Sequence, residues 1–223
     1  VVRSPALLPA GDDLADLAPH VGEQIVQAGC SNCHLTGEGG APKIGDRAAW
    51  SKRISAGIDM SFAPCIDLDY GVSEVIGDRA YHRDPEVVSR LAVACMQGMR
   101  TGGMAATAKH FPGHGAVVAD SHKALPIDRR PLTELTDELL PYRRMIANGL
   151  TSVMVAHVLF PEVDEAPAGF SARWIQQELR WNLGFSGAIF SDDLSMGGAS
   201  FAGTLPERAR RALAAGCDVL AVC

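Results

Sequence analysis

Residues 84–110, DPEVVSRLAVACMQGMRTGGMAATAKH, hold the change of pattern that decides the fold. Over 84–99 the apolar side chains recur with helical period, and Asp84-Pro85 suits a helix start because proline tolerates the first turn. Residues 105–110 then form a short apolar run of strand length that ends in Lys109 and His110. Working outward, further strands are expected at 60–65, 152–157, 188–191 and 218–222, and further helices at 132–148, 171–182 and 206–215, with Leu205-Pro206 as a second helix start. Alternation of this kind predicts an α/β fold with a parallel sheet. The first four strands end in, or run on to, Asp67 and Asp69, Lys109 and His110, His157, and Asp192 and Asp193. In a parallel sheet or barrel such positions gather at the carboxyl ends of the strands, where ligands bind.

Composition excludes several classes of function. With 223 residues and 47% hydrophobic content the chain can build a substantial core, and a net charge of -6 offers no electrostatic footprint for nucleic acid. No apolar run reaches the roughly 18 to 20 residues of a membrane span. The opening VVRSPALLPAGDD lacks a basic segment followed by an apolar one, so the chain reads as soluble and unexported. Cys65, Cys95, Cys217 and Cys223 read as small buried hydrophobes, whereas Cys30 and Cys33 stand apart.

Three motifs carry chemistry. KHFPGHG, 109–115, places a cation and two imidazoles on a loop that Gly113 and Gly115 are expected to make mobile; alone it suits a phosphate or a metal. ADSH, 119–122, sets Asp120 two residues before His122, a spacing that lets the carboxylate orient the imidazole of a general acid/base. FSDDLSM, 190–196, ends a strand with adjacent carboxylates, one free to face a site while the other supports the following turn. A nucleophilic carboxylate with a separate proton donor is what retaining glycoside hydrolysis requires. Asp193 as nucleophile, a metal at Lys109, His110 and His114, and His122 as a plain surface histidine are the competing readings.

GDRAYHRDP, AKHFPGHG, ADSHKALP, MVAHVLFPEVD, GFSGAIFSDDLSMGGA and AGCDVLAVC occur in this order and cover about three quarters of the chain. They resemble successive blocks of the glycoside hydrolase family 3 β-N-acetylhexosaminidases that act in peptidoglycan recycling. The resemblance implies a TIM-type (β/α)8 barrel, present in part as about five strands, since it runs from the third strand to the seventh and lacks the DQEGGR-like block. It implies Asp192 as nucleophile, His122 held by Asp120 as acid/base, and Arg79, Lys109, His110 and His157 as substrate-binding residues, with His114 a lesser candidate. It further implies a terminal β-linked N-acetylglucosamine of a muropeptide as substrate, no cofactor or metal, and a cytoplasmic location. Whether water or phosphate accepts the sugar is left open by a histidine acid/base. A sugar-binding remnant without turnover is the alternative that the missing block suggests.

Residues 1–57 follow another pattern, with short helices around a glycine-rich loop and no strand. Cys30, Cys33 and His34 form CSNCH, the c-type haem attachment pattern, and 21–57 resembles the first half of a small class I cytochrome c. That resemblance implies haem c, an electron-transfer alternative and a periplasmic location. The expected organisation is therefore a cytochrome-like helical segment, 1–57, followed by a truncated barrel domain, 58–223.

Overall fold

The structure is a computed structural model and describes residues 59–223. Cys30, Cys33, His34 and the whole of the expected segment 1–57 lie outside the described residues. The described chain runs β1 (Met60–Ser61), α1 (Pro85–Thr101), β2 (Ala105–Phe111), α2 (Thr136–Ala147), β3 (Ser152–Val155), α3 (Arg173–Asn182, wound as a π-helix), β4 (Ala188–Ser191) and α4 (Leu205–Ala215). All pairings are parallel, in the order β1-β2-β3-β4. The sheet thus grows by one strand and one covering helix at a time, as the alternating sequence requires.

Local chemistry starts α1 and α4 close to where the sequence signals them. The Asp84 carboxylate accepts from the amides of Glu86 (2.8 Å) and Val87 (3.3 Å), and Pro85 fills the first helical position, where no amide partner is needed. Val88, Ala92, Val93 and Met96 then bury one stripe of α1, which packs on α2 and β2. At α4, Thr204 rather than Leu205 is the cap. Its amide donates to Glu207 at 2.7 Å in a reciprocal capping box, and Pro206 therefore sits at the second position.

All four residues of β3 are buried, so this central strand is screened from solvent on both faces. Phe111, the last residue of β2, meets Tyr142 of α2 edge-on at 5.0 Å and Trp174 of α3 at 6.0 Å, and Trp174 also packs on Phe160. Burial of each such ring contributes about 2–3 kcal/mol. The cluster anchors the carboxyl end of β2 directly after Lys109 and His110, so core packing fixes where those side chains emerge.

Two expected strands are only partly formed. The first pairs regularly at Met60–Ser61 and again through a bridge at Cys65; between them Pro64 has no N–H to donate. The last, expected at 218–222, has a single bridge from Val219 to Phe190. Its ladder to β4 breaks where the Ala221 amide turns to the Ser191 hydroxyl at 3.1 Å. Cys217 is buried as expected, but Cys223 is exposed.

Candidate active site

The segment that follows β1 and the carboxyl end of β2 with its loop meet around one buried carboxylate. Asp67, 1% exposed, accepts from the backbone amide of His114 (2.8 Å), from that of His110 (3.2 Å) and from His110 Nδ1 (2.7 Å). Burial alone would raise its pKa, but the neighbouring His110 outweighs it and holds the carboxyl at about 2. An ionised carboxylate only accepts, so Nδ1 of His110 carries the shared proton and Nε2 is the nitrogen that Asp67 leaves unengaged.

Cys65 Sγ, Asp67 and His110 lie within 4.8 Å of one another, a spacing that raises the question of a metal. The thiol, however, donates to Asp67 at 3.1 Å, and burial pushes its pKa well above the ordinary thiol range. A zinc site would need the thiolate; here Asp67 instead accepts from Cys65 Sγ at 3.1 Å and from His110 Nδ1 at 2.7 Å. This trio is a hydrogen-bonded support.

The glycines of KHFPGHG serve close approach, a role that the sequence did not suggest for them. A Cβ on Gly115 would run into the carbonyl of Leu68, and one on Gly113 would meet Glu138 Oε2 at 2.8 Å. Glu138 is itself buried and accepts from Arg130 Nη2 at 2.8 Å, while Arg130 also grips Asp128. Burial raises Glu138 to about 7 against the opposing pull of Arg130. The loop therefore rests on a fixed ionic base.

Asp120 and His122 stand together on the next turn. Nδ1 of His122 lies 2.8 Å from Asp120 Oδ1, which also accepts the His122 amide at 2.9 Å. These bonds lower the pKa of Asp120, keep it an acceptor, and leave Nε2 of the exposed imidazole as the nitrogen that Asp120 does not engage. The turn is joined to the segment after β4 by two backbone bonds, Gly197 N–H to His122 O (2.9 Å) and Gly198 N–H to Ser121 O (2.8 Å).

The adjacent carboxylates divide as the sequence allows. Asp193 is consumed by the fold: Oδ1 accepts from the amides of Ser195 (2.8 Å) and Cys223 (3.3 Å), and Oδ2 from the Ser195 hydroxyl (2.8 Å). Partial burial raises its pKa, and the Ser195 hydrogen bonds more than offset that, so the net shift is downward. Asp192 Oδ1 accepts only the amide of Asp193, and Oδ2 has no partner among the described residues. Its negative charge works against the burial that lowers the pKa of both His114 and His157.

His157 is not a ligand-facing side chain. It is wholly buried, stacked on Phe170 at 5.3 Å, with Nε2 3.1 Å from the Asp193 carbonyl. The substrate-binding role expected for it gives way to one of holding the end of β4. Lys109 is half-buried, and its ammonium has no partner among the described residues. Arg79 is exposed, donates to the Val75 carbonyl, and acts electrostatically on Cys65, on the β1 side of the cluster. Asp67, Ser121, Glu138 and Gly197 were not assigned roles from sequence; the polar residue directly after a strand was the available signal for Asp67.

Comparison with known proteins gives the family of the chain. The glycosyl hydrolase family 3 N terminal domain matches residues 40–223. The chain belongs to glycosyl hydrolase family 3. The matched region begins six residues past His34, so the CSNCH pattern lies outside it. A beta-hexosaminidase of Thiobacillus denitrificans is 58% identical over 168 residues, covering 75% of this chain and 47% of the relative. Among solved structures, NagZ from Neisseria gonorrhoeae in complex with N-trifluoroacetyl-D-glucosamine superposes with TM-score 0.73 at 52% identity, covering 79% of this chain and 51% of that one. A family 3 β-N-acetylglucosaminidase from Paenibacillus is similar at 41% identity and TM-score 0.74, covering 77% and 34%. The chain spans about half the length of the curated relatives it matches.

Proposed function

We propose that the protein is a retaining β-N-acetylhexosaminidase that releases terminal β-linked N-acetylglucosamine from peptidoglycan fragments in the cytoplasm. The observation that carries this reading is the junction of two loops. The Asp120–His122 pair and the segment five residues past Asp192 are hydrogen-bonded to each other through Gly197, a link that supports reading Asp192 and His122 as partners in one reaction. The similarity to curated beta-hexosaminidases supports it.

In the first step Asp192 attacks the anomeric carbon as the glycosidic bond breaks, and His122 passes its Nε2 proton to the departing oxygen. In the second, His122, now neutral, takes a proton from water; the water oxygen bonds to the anomeric carbon and the Asp192 ester is released with net retention. Asp120 stays ionised throughout and stabilises the imidazolium. Lys109, His110 and Arg79 are assigned to the sugar hydroxyls. No helix of the described residues is long and apolar enough to cross a membrane.

Release of chromophore from an aryl N-acetyl-β-glucosaminide tests the proposal. Turnover that disappears in Asp192→Ala and falls steeply in His122→Ala on a substrate whose leaving group needs a proton supports it; folded protein that releases none rejects it.

A further inference from the structure

Below the Asp120–His122 turn lies a polar contact that the reaction scheme leaves unused. Ser121, 2% exposed, directs its hydroxyl at Nε2 of His114, also 2% exposed, at 2.9 Å. His114 is in turn held through its amide by Asp67 at 2.8 Å. The carbonyl of the same serine accepts the Gly198 amide at 2.8 Å, and a Cβ on Gly198 would press on both Ser121 O (2.9 Å) and His157 Cβ (3.2 Å). Ser121 is thus the only buried residue of the turn 120–123, gripped by its side chain from the β2 loop and by its backbone from the segment after β4.

We infer that Ser121 and His114 are positioning residues, whose buried hydrogen bond sets the height and direction of the Asp120–His122 pair over the sugar site. The inference rests on His122 being the acid/base of the proposed reaction. The two neighbours of Ser121 in sequence are the two members of the proton-transfer pair, so rotation about Ser121 moves both. A buried hydroxyl that loses its partner has no water to replace it, so the turn settles elsewhere. Burial lowers the pKa of His114, which keeps its imidazole neutral while His122 changes charge and makes the pin independent of the proton it helps to deliver. Misplacement of a proton donor by about 1 Å is enough to cost a large factor in rate.

The test compares kcat/KM on two substrates. The 2,4-dinitrophenyl N-acetyl-β-glucosaminide leaves without a proton, and the phenyl glycoside needs one. Ser121→Ala and His114→Phe are expected to lower kcat/KM about tenfold or more on the phenyl substrate and about twofold or less on the dinitrophenyl one. The double variant should lose no more than either alone, because the two groups act as one unit. His114→Gln, whose amide reaches the Nε2 position, should recover part of the loss. Amide hydrogen exchange at 119–124 should quicken in Ser121→Ala, a readout that does not depend on turnover. Equal losses on both substrates, or unchanged rates with unchanged exchange, would overturn the inference. A wild-type protein inert toward both substrates would instead reject the hydrolase reading and leave the pin to be judged by exchange alone.

Discussion

The amide of Gly197 donates to the carbonyl of His122 at 2.9 Å, joining the segment that follows Asp192 to the turn that carries the imidazole. Residues 75 positions apart in sequence are thereby set by one backbone contact. The approach is so close that a Cβ on Gly197 would fall inside the carbonyl of Lys123, with Lys123 C at 2.5 Å. Backbone, not a flexible side chain, is what stands in the way.

Gly197→Ala must therefore push the two loops apart. The expected loss is about 1–3 kcal/mol of stability from overpacking and roughly a hundredfold in kcat/KM from displacement of His122. Urea unfolding together with aryl glycoside kinetics checks both; wild-type kinetics in this variant would show that the contact does not position the imidazole.

The adjacent carboxylates should separate cleanly. Asp192→Asn is expected to abolish turnover with stability near wild type, since Oδ2 of Asp192 has no partner among the described residues. Asp193→Asn should cost about 1–2 kcal/mol through its contacts to Ser195 and Cys223, with a smaller rate loss. Thermal unfolding and steady-state kinetics on the pair decide the assignment, and a reversed pattern would make Asp193 the attacking group.

Much of this architecture was legible in the chain. β4 spans the residues its apolar run marks, and α1 starts on Asp84-Pro85 because cap and first-turn chemistry are local. Strand 218–222 was less legible: its apolar run reads as a full strand, yet pairing with Ser191 and Leu194 draws it out of regular register, and that depends on a partner about 30 residues away. Spacing alone suggested that Asp120 orients His122. It could not distinguish His157, which is buried beneath the site, from a sugar-facing residue, because both positions lie at the end of a strand. Glu138, an acidic residue in the first turn of α2, gave no sign that it props the loop before the acid/base turn; only the packing of α2 against Gly113 reveals it.

Asp67 gives the fold a defined acid response. Its folded pKa of about 2 lies below the 3.8 of an unperturbed aspartate, so its contribution is present above pH 4 and is lost as pH falls toward 2. The contribution is roughly 2 kcal/mol by linkage. Asp67→Asn should be less stable at neutral pH, by about 3 kcal/mol, because the amides and ring of His110 and His114 lose an ionic acceptor. Its stability should then change less between pH 4 and pH 2 than that of the wild type. Urea titrations at a series of pH values measure the difference; parallel curves would contradict it.

Trp174 reaches the site only through packing. Trp174→Ala removes a wholly buried ring from Phe111 and Phe160 and should destabilise by about 3–5 kcal/mol. Because Phe111 follows His110, KM should rise in the folded fraction, which kinetics at low temperature can read.

The most direct measurement is mass spectrometry of peptides from protein quenched during turnover of the 2,4-dinitrophenyl N-acetyl-β-glucosaminide, in a His122→Ala background that slows hydrolysis of the intermediate. The account predicts one N-acetylglucosamine ester, on the peptide containing Asp192 and located to that residue by fragmentation. An ester on Asp193, or turnover with no ester on any carboxylate, would contradict it.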